Sequence, residues 1–322
     1  MGSQCDPMVE KYAMLFPGQG SQYPGMGKSL YEKYPEAKAI FDSANEILGF
    51  DLKNKIFNGT QEELRETTVT QPAIFTVSCA IFNVFTSIHP NWKENCAFVA
   101  GHSLGEYSAF FSAGAFDFKT GLKLVQYRSC AIQKGCQKNP GSMAAILNMG
   151  RKELQLICDN CSKNGERCEM VNFNSPDQIV IAGSKKGIES ALELIKGIPG
   201  KRAIPLNVSG PFHSTYLNEA AEAMAVELSN ASIQKTVIPV FTNCDAKPTQ
   251  EVNQIKENLG RQIDHPVLWE DSVQRMISEG VEKFIEIGPG KVLSGLLRKI
   301  DRSKSCIPIE DNFETGFRLS PE

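Results

Sequence analysis

Short apolar runs alternate with amphipathic helical patterns along most of the chain. The apolar runs at 11–16, 97–100, 239–243 and 283–287 predict buried strands. Helical patterns occupy the intervening segments, and the most apolar of them covers 73–88 before His89-Pro90-Asn91 ends it. The other predicted helices cover 27–34, 36–48, 62–66, 106–113, 119–134, a stretch ending near 228, 255–262, 267–279 and 292–300. Strands separated by helices are typical of an α/β protein.

A different order of elements follows the turn sequence Asn139-Pro140-Gly141-Ser142. The patterns predict a strand at 143–147, a helix at 151–161, strands at 168–172 and 178–182, a helix at 186–196 and a strand at 201–206. This β-α-β-β-α-β order is typical of a ferredoxin-like module of about seventy residues. Larger α/β units resume afterwards, so we expect a small subdomain at 139–207, inserted into a large one formed by 11–138 and 208–310. Residues 1–10 and 311–322 lack periodicity, and we expect both ends to be loose.

Composition narrows the classes of function. The chain has 322 residues, a net charge of −3 and a pI near 5.9, so no basic excess favours nucleic acid. No apolar run reaches the roughly 18 residues of a membrane-spanning helix, and the polar start is not that of a signal peptide. Ten cysteines without a secretion signal favour reduced thiols in a cytoplasmic protein.

One group of cysteines resembles part of a metal site. Cys158, Cys161 and Cys168 lie close together in the chain, and the first two form a C-x-x-C pattern that could bind zinc. A second pair at matching spacing is missing, so the pattern favours ordinary thiols and predicts no metal.

A candidate nucleophile lies in the segment Gly101-His102-Ser103-Leu104-Gly105, between a predicted strand and a predicted helix. G-x-S-x-G at such a junction is typical of a tight turn that holds a serine hydroxyl at the edge of a sheet. The following helix N-terminus offers free N–H groups where an oxyanion would form. The alternative is a plain glycine-rich turn.

Ser103 would need a general base, and the chain has only four histidines. His102 adjoins the serine on the turn, so its ring should point away from the hydroxyl. His89 and His265 each precede a proline in connecting segments, where turn or surface roles are usual. His213 follows Gly-Pro-Phe where a helix begins, at another predicted sheet edge, and elimination favours it over a surface or core role.

Arg128 lies on the predicted inner face of the helix at 119–134, together with Leu122, Val125 and Ile132. A guanidinium on an apolar face requires an anion, because its burial without a partner is costly. That anion could be a ligand or a structural carboxylate; alternatively, the side chain could extend to the rim of the core. A second glycine-rich turn, Pro17 to Gln22, follows the first strand and directs N–H groups to the sheet edge, but it lacks the lysine of a phosphate loop.

Several motifs occur together in one order: FPGQGSQYPGMG, TQPAIF, GHSLGEYSA, Arg128, NFNSPDQIVIAG, GPFHS, the R-Q…P-V-x-W of 261–269, and EIGPGKVL. On these residues the chain resembles the malonyl-CoA:acyl-carrier-protein transacylases, including the free-standing acyltransferases that serve polyketide synthases. The likeness covers roughly residues 12 to 300. Each motif alone is weak, but eight in register are specific.

The resemblance implies an α/β-hydrolase-like large subdomain with a parallel sheet and a ferredoxin-like small one, with the site in the cleft between them. It implies that Ser103 is acylated, that His213 is its base and that the main chain of Gln262 orients His213. The N–H groups of Gln19 and Leu104 would form the oxyanion hole, and Arg128 would bind the malonyl carboxylate beside Gln71.

The same resemblance implies that Phe212 restricts the pocket to malonyl. Lys201 and Arg202 match basic positions near the cleft entrance, where they would meet CoA phosphates or an acidic carrier, although solvated surface charge explains them equally well. The expected partners are malonyl-CoA and an acyl carrier protein, with no cofactor of the enzyme's own and a monomeric state. Two alternatives remain at this point: an acyl hydrolase with the same serine and histidine, and a non-catalytic scaffold that binds the carrier.

Overall fold

The computed structural model describes residues 10–163, 165–313 and 315. The helices are α1 Lys28–Lys33, α2 Pro35–Leu48, α3 Leu52–Asn58, α4 Thr67–Ile88, α5 Gly105–Ser112, α6 Phe118–Lys138, α7 Arg151–Cys161, α8 Lys185–Lys196, α9 Asn218–Asn230, α10 Val252–Arg261, α11 Trp269–Ser278 and α12 Val292–Ile300. The strands are β1 Tyr12–Phe16, β2 Cys96–Gly101, β3 Ser142–Leu147, β4 Cys168–Ser175, β5 Gln178–Gly183, β6 Arg202–Pro205, β7 Val240–Phe241, β8 Pro248–Thr249, β9 Lys283–Ile287 and β10 Ser305–Ile309. Short 3₁₀ turns lie at Glu63–Arg65 and Thr215–Leu217.

A six-stranded sheet in the order β10-β9-β1-β2-β7-β8 forms the centre of the large subdomain. All of its neighbouring strands are parallel except β7 and β8. Strand β1 is buried along its whole length, and its alternate residues face two different cores. Helices therefore cover both faces, which explains why the strand is apolar throughout. The predicted α/β fold with a parallel sheet is confirmed.

Helix α4 is the core helix of this subdomain. It is long and apolar enough to cross a membrane, so the expectation that no apolar run reaches this length was wrong. However, 78% of its most apolar window is buried inside the protein, as expected for a core helix. It begins at Thr67, six residues before the predicted start at Ala73. Pro72 lies inside the helix and removes one backbone donor, and the burial of the residues around it offsets that loss.

The second sheet has four antiparallel strands in the order β4-β5-β3-β6. Helices α7 and α8 cover one face and form a separate core with it. This arrangement confirms the predicted ferredoxin-like unit. Main-chain hydrogen bonds between Val171 or Phe173 of β4 and Val267 join the small unit to the large one.

The structure differs from the sequence-based prediction in several elements. Helix α3 and strands β8 and β10 were not predicted, and the helix predicted at 62–66 is only a short 3₁₀ turn. Asp51 caps α3 by accepting from the N–H of Asn54. The expectation of a loose tail from 311 was wrong for Phe313, which is buried, contacts Tyr34 and accepts a hydrogen bond at its carbonyl from the ring of His89. Residues 1–9, 314 and 316–322, which make up most of the predicted loose ends, lie outside the described residues.

Candidate active site

The turn between β2 and α5 presents Ser103 at the carboxyl end of the parallel sheet. Ser103 has a positive φ of 50°, and a side chain at Gly101 would place its Cβ 1.9 Å from the carbonyl oxygen of Gly105. The Asn243 amide fixes the turn because its Oδ1 accepts from the Ser103 N–H at 2.7 Å and its Nδ2 donates to the Gly101 carbonyl at 2.7 Å. The glycines therefore permit a strained backbone path that brings the hydroxyl out of the sheet.

His213 meets this hydroxyl from a segment 110 residues later in the chain. Its Nε2 lies 2.7 Å from Ser103 Oγ, and its Nδ1 lies 2.8 Å from the main-chain carbonyl of Gln262. Because a carbonyl only accepts, Nδ1 carries the hydrogen and Nε2 has its lone pair toward the serine. Burial, aided by the charge of Arg128, lowers the pKa of His213 to about 3, so the ring is a neutral base near pH 7.

Arg128 projects from the inner face of α6 and is only 2% exposed. Its Nη1 donates to Gln71 Oε1 at 2.7 Å, and its Nε and Nη2 donate to Gln262 Oε1 at 3.1 and 2.7 Å. Nη2 also lies 3.1 Å from Ser103 Oγ, and the Tyr107 ring lies 5.7 Å from the guanidinium carbon. No carboxylate in the described part of the chain forms an ion pair with Arg128. The side chain therefore neither extends to the rim nor has a structural carboxylate partner in direct contact.

The side chain of Gln262 links these groups. Its Nε2 donates at 2.6 Å both to the Ser103 carbonyl and to Glu106 Oε2. Its Oε1 is consequently turned toward Arg128. The family resemblance implied a role only for the main chain of Gln262, and no pattern in the sequence pointed to Glu106.

A cavity of about 200 Å³ opens beside the serine. Its lining includes Gln19, Gln71, Ser103, Arg128, Phe212 and His213. The backbone N–H groups of Gln19 and Leu104 donate to no other described residue, and Leu104 directly precedes the N-terminus of α5. Two free donors thus lie on the two glycine-rich turns, one in the Pro17–Gln22 turn and one at the start of α5. These are the places where the sequence predicted free N–H groups.

The small sheet supplies the opposite wall of the cavity. Its lining residues there include Met143, Asn172, Asn174, Gln178 and Val180. Asn174 Oδ1 accepts a hydrogen bond from His102 Nε2 at 2.8 Å, so that ring nitrogen carries the hydrogen. The His102 ring is therefore directed to Asn174 and away from the serine. Asn172, Asn174 and Gln178 all lie in the NFNSPDQ motif, for which no role was predicted from the sequence.

The two remaining histidines do not take part in the site. The ring of His89 bonds to the Phe313 carbonyl, and His265 Nδ1 lies 2.6 Å from Asp264 Oδ1. The structure thus leaves His213 as the histidine that contacts Ser103, in agreement with the elimination made from the sequence.

The model of the acyl transferase domain family matches residues 13–310. The chain belongs to this acyltransferase family.

Its relatives are consistent in name. The acyltransferase is 45% identical over 305 residues to the malonyl CoA-acyl carrier protein transacylase of Bacillus subtilis, covering 94% of each chain. It is 40% identical to the protein of that name in Escherichia coli K12, covering 91% of this chain and 93% of that one.

Solved structures of similar proteins share the whole fold. The acyl-carrier-protein S-malonyltransferase of Bartonella henselae superposes with a TM-score of 0.90 at 36% identity, covering 93% of this chain and 95% of that one. A malonyl-transacylase in complex with its type II PKS acyl-carrier protein gives 0.89 at 37% identity, covering 94% and 96%. The similarity therefore extends over both sheets and the cavity between them.

Two groups predicted from the sequence lie away from the cavity of the acyltransferase. Lys201 forms an ion pair with Glu153 at 3.3 Å and donates to the Asn148 carbonyl, and Arg202 is exposed at the start of β6. Neither residue lines the cavity, and their role at an entrance stays a prediction.

The three clustered cysteines are buried in the core of the small sheet, and the sulfurs of Cys158 and Cys168 are 3.6 Å apart. No group of His, Cys, Asp or Glu side chains suited to a metal occurs among the residues that the structure describes.

Proposed function

We propose that this acyltransferase moves a malonyl group from CoA to the phosphopantetheine thiol of an acyl carrier protein, through a malonyl ester on Ser103. One observation supports the choice of acyl group above all. A buried guanidinium, bonded only to neutral oxygens, lies 3.1 Å from the nucleophile at the cavity wall. A malonyl carboxylate, carried one CH₂ from the reacting carbonyl, is the anion that such a position fits, and the names of the relatives agree.

The first half-reaction loads the enzyme. His213 Nε2 accepts the Ser103 proton while the oxygen attacks the thioester carbonyl of malonyl-CoA, and the resulting oxyanion lies at the N–H groups of Gln19 and Leu104. The intermediate then expels the CoA sulfur, which takes the proton from His213. Removal of one oxyanion donor typically costs about 2.7–4 kcal/mol of barrier, so the two free N–H groups account for a large share of catalysis.

The second half-reaction reverses these roles. The carrier's pantetheine thiol gives its proton to His213 and attacks the malonyl-serine carbonyl, and Ser103 leaves and regains the proton. The Gln262 carbonyl holds Nδ1–H throughout, so the same tautomer serves both halves. The cycle balances in protons and needs no metal or cofactor of the enzyme's own.

Phe212 lines the cavity directly before the base, and its ring restricts the space around the acyl Cα. Rejection of one additional methyl in such a pocket is worth about 1–3 kcal/mol, which gives a preference for malonyl over methylmalonyl. We further propose that the enzyme acts as a cytoplasmic monomer whose partners are malonyl-CoA and the carrier, without nucleic acid or a membrane.

The test is transfer of radiolabelled malonate from malonyl-CoA to a phosphopantetheinylated carrier protein, measured beside release of free malonate. We expect label on the carrier and, without the carrier, a malonyl adduct on Ser103 by mass spectrometry. Predominant free malonate would instead identify a hydrolase. A Ser103 that remains unmodified would identify a non-catalytic carrier-binding protein.

A further inference from the structure

Glu106 is a fully buried carboxyl group in the active-site network that the mechanism above does not use. It lies in the first turn of α5, three residues after the nucleophile. Its Oε2 accepts from Gln262 Nε2 at 2.6 Å, and its Oε1 accepts from the main-chain N–H of Asn243 at 3.2 Å. Both contacts lead to residues that hold the Ser103 turn.

The buried charge of Arg128 has no direct counter-ion in the described part of the chain. All of its hydrogen-bond acceptors are neutral oxygens, from Gln71, Gln262 and Ser103. Glu106 is the carboxyl group that interacts with this charge, and it does so through the Gln262 amide, whose two ends contact the two groups. A substrate carboxylate on Arg128 would therefore place a second negative charge on the same buried guanidinium.

We propose that Glu106 is a positioning residue that acts through Gln262, and that a malonyl carboxylate binds Arg128 only while Glu106 holds a proton. This inference rests on the proposed malonyl transfer. The proton comes from solvent, and no bond other than the new O–H of Glu106 is formed in this step. A protonated carboxyl keeps an acceptor lone pair on each oxygen, so Gln262 and the Asn243 N–H retain their partner.

The groups around Glu106 determine its pKa, and thus in which direction a change of pH alters malonyl binding. The charged or titratable groups that interact with it are Arg128 on α6, Asp245 and Cys244 after β7, and Tyr107 on its own helix. Burial raises the pKa of Glu106 to about 8, against the opposing effects of Gln262, the Asn243 N–H and Arg128. An incoming carboxylate raises this pKa further, since like charges in a buried site disfavour ionisation of both. Acetyl groups carry no charge and leave it unchanged.

The first measurement needs no variant: the pH dependence of kcat/KM for loading of wild-type enzyme with malonyl-CoA and with acetyl-CoA. The acetyl profile accounts for titration of CoA, His213 and the nucleophile. We expect the malonyl-to-acetyl ratio to fall about thirtyfold between pH 7 and pH 9.5, because ionised Glu106 excludes the second carboxylate. A ratio that does not change with pH would overturn the inference.

Glu106→Gln is neutral at every pH, so we expect its malonyl-to-acetyl ratio to be constant over that range. Glu286→Gln is the matched control, since Glu286 is equally buried but contacts the start of α12, at Leu293 and Ser294, instead of Gln262. It should lower thermal stability and keep the wild-type ratio profile. A Glu106→Gln enzyme with the wild-type profile would contradict the proposal.

Calorimetry counts the proton directly, and it covers the case in which Glu106→Gln does not fold. Ser103→Ala enzyme is titrated with malonyl-CoA or acetyl-CoA near pH 8.5, in two buffers of different ionisation enthalpy. We expect uptake of about 0.8 proton with malonyl-CoA beyond that with acetyl-CoA, since about that fraction of Glu106 is ionised in the free enzyme at this pH. Equal proton uptake with both ligands would refute the coupling. Wild-type enzyme that loads no malonyl at all would overturn the proposed function itself, whereas normal loading with an unchanging ratio overturns this inference alone.

Discussion

Replacement of Arg128 by alanine should separate recognition of the malonyl group from the chemistry of the serine. The carboxylate would lose a bidentate contact made by a side chain that is only 2% exposed. A hydrogen bond to a charged group contributes about 1.5–3 kcal/mol, so two of them give roughly 3–6 kcal/mol. That loss corresponds to a decrease of about 150-fold to about 25,000-fold in kcat/KM for malonyl-CoA.

Acetyl loading by the same variant should hold or increase. Arg128 lowers the pKa of His213, so its removal makes the imidazole a stronger base, although the contact between Nη2 and Ser103 Oγ is lost. The assay is formation of the acyl-serine from each CoA ester by rapid quench and mass spectrometry. Arg128→Lys is the matched control: it keeps the charge without the bidentate geometry and should fall between wild type and alanine.

A comparable loss for both acyl groups would refute the reasoning, because it would mean that the arginine serves mainly to hold Gln71, Gln262 and the serine turn in place. Circular dichroism and thermal unfolding of the same preparations establish whether the variant is folded. The ratio of the two rates is the decisive quantity, since a general structural defect reduces both.

The other predictions concern the turn, the base and the cysteines. Gly101→Ala should abolish soluble, active protein because its Cβ would lie 1.9 Å from the Gly105 carbonyl oxygen. Gly295→Ala, in α12, meets no atom within 4 Å and should increase the free energy of unfolding by up to ~1 kcal/mol, seen as a higher melting temperature. The pKa of His213 in the folded protein, about 3, lies below its ordinary 6.5. The free energy of unfolding should therefore fall by up to about 1.4 kcal/mol per pH unit as pH decreases below 6.5. Plotted against pH, the unfolding free energy of His213→Gln from chemical denaturation should fall with a shallower slope. Cys158→Ala should reduce thermal stability through lost packing and leave malonyl loading unchanged. Chelator treatment of the wild-type enzyme should also leave loading unchanged, and a loss of activity on chelation would indicate that the buried thiols hold a metal.

The sequence identified the groups whose position depends on local geometry. Ser103 follows from a strand, a glycine pair and a helix, and Arg128 follows from the period of α6, since both signals span only a few turns of chain. His213 was found by elimination, which succeeded because the chain has only four histidines. That its ring meets Ser103 depends on packing across 110 residues, which no local pattern encodes.

Glu106 and β10 show why the remainder could not be predicted. An acidic residue in the first turn of a helix is usually solvated and favourable to the helix dipole, and only the fold places Gln262 over it. The segment SCIPI contains Pro308, which argues against a central strand, but β10 is an edge strand of the sheet, where a missing N–H is tolerated.

The division of the cavity between two sheets has a consequence for engineering. Ser103, His213, Arg128 and Gln262 all belong to the part of the chain that surrounds the parallel sheet, whereas Met143 and Val180 reach the same space from the antiparallel one. Acyl-group preference can therefore be altered by redesigning strands β3 and β5, while the reacting atoms keep their mutual distances. A library restricted to the inward positions of those two strands would vary which carboxylic acid is accepted and retain the transfer chemistry.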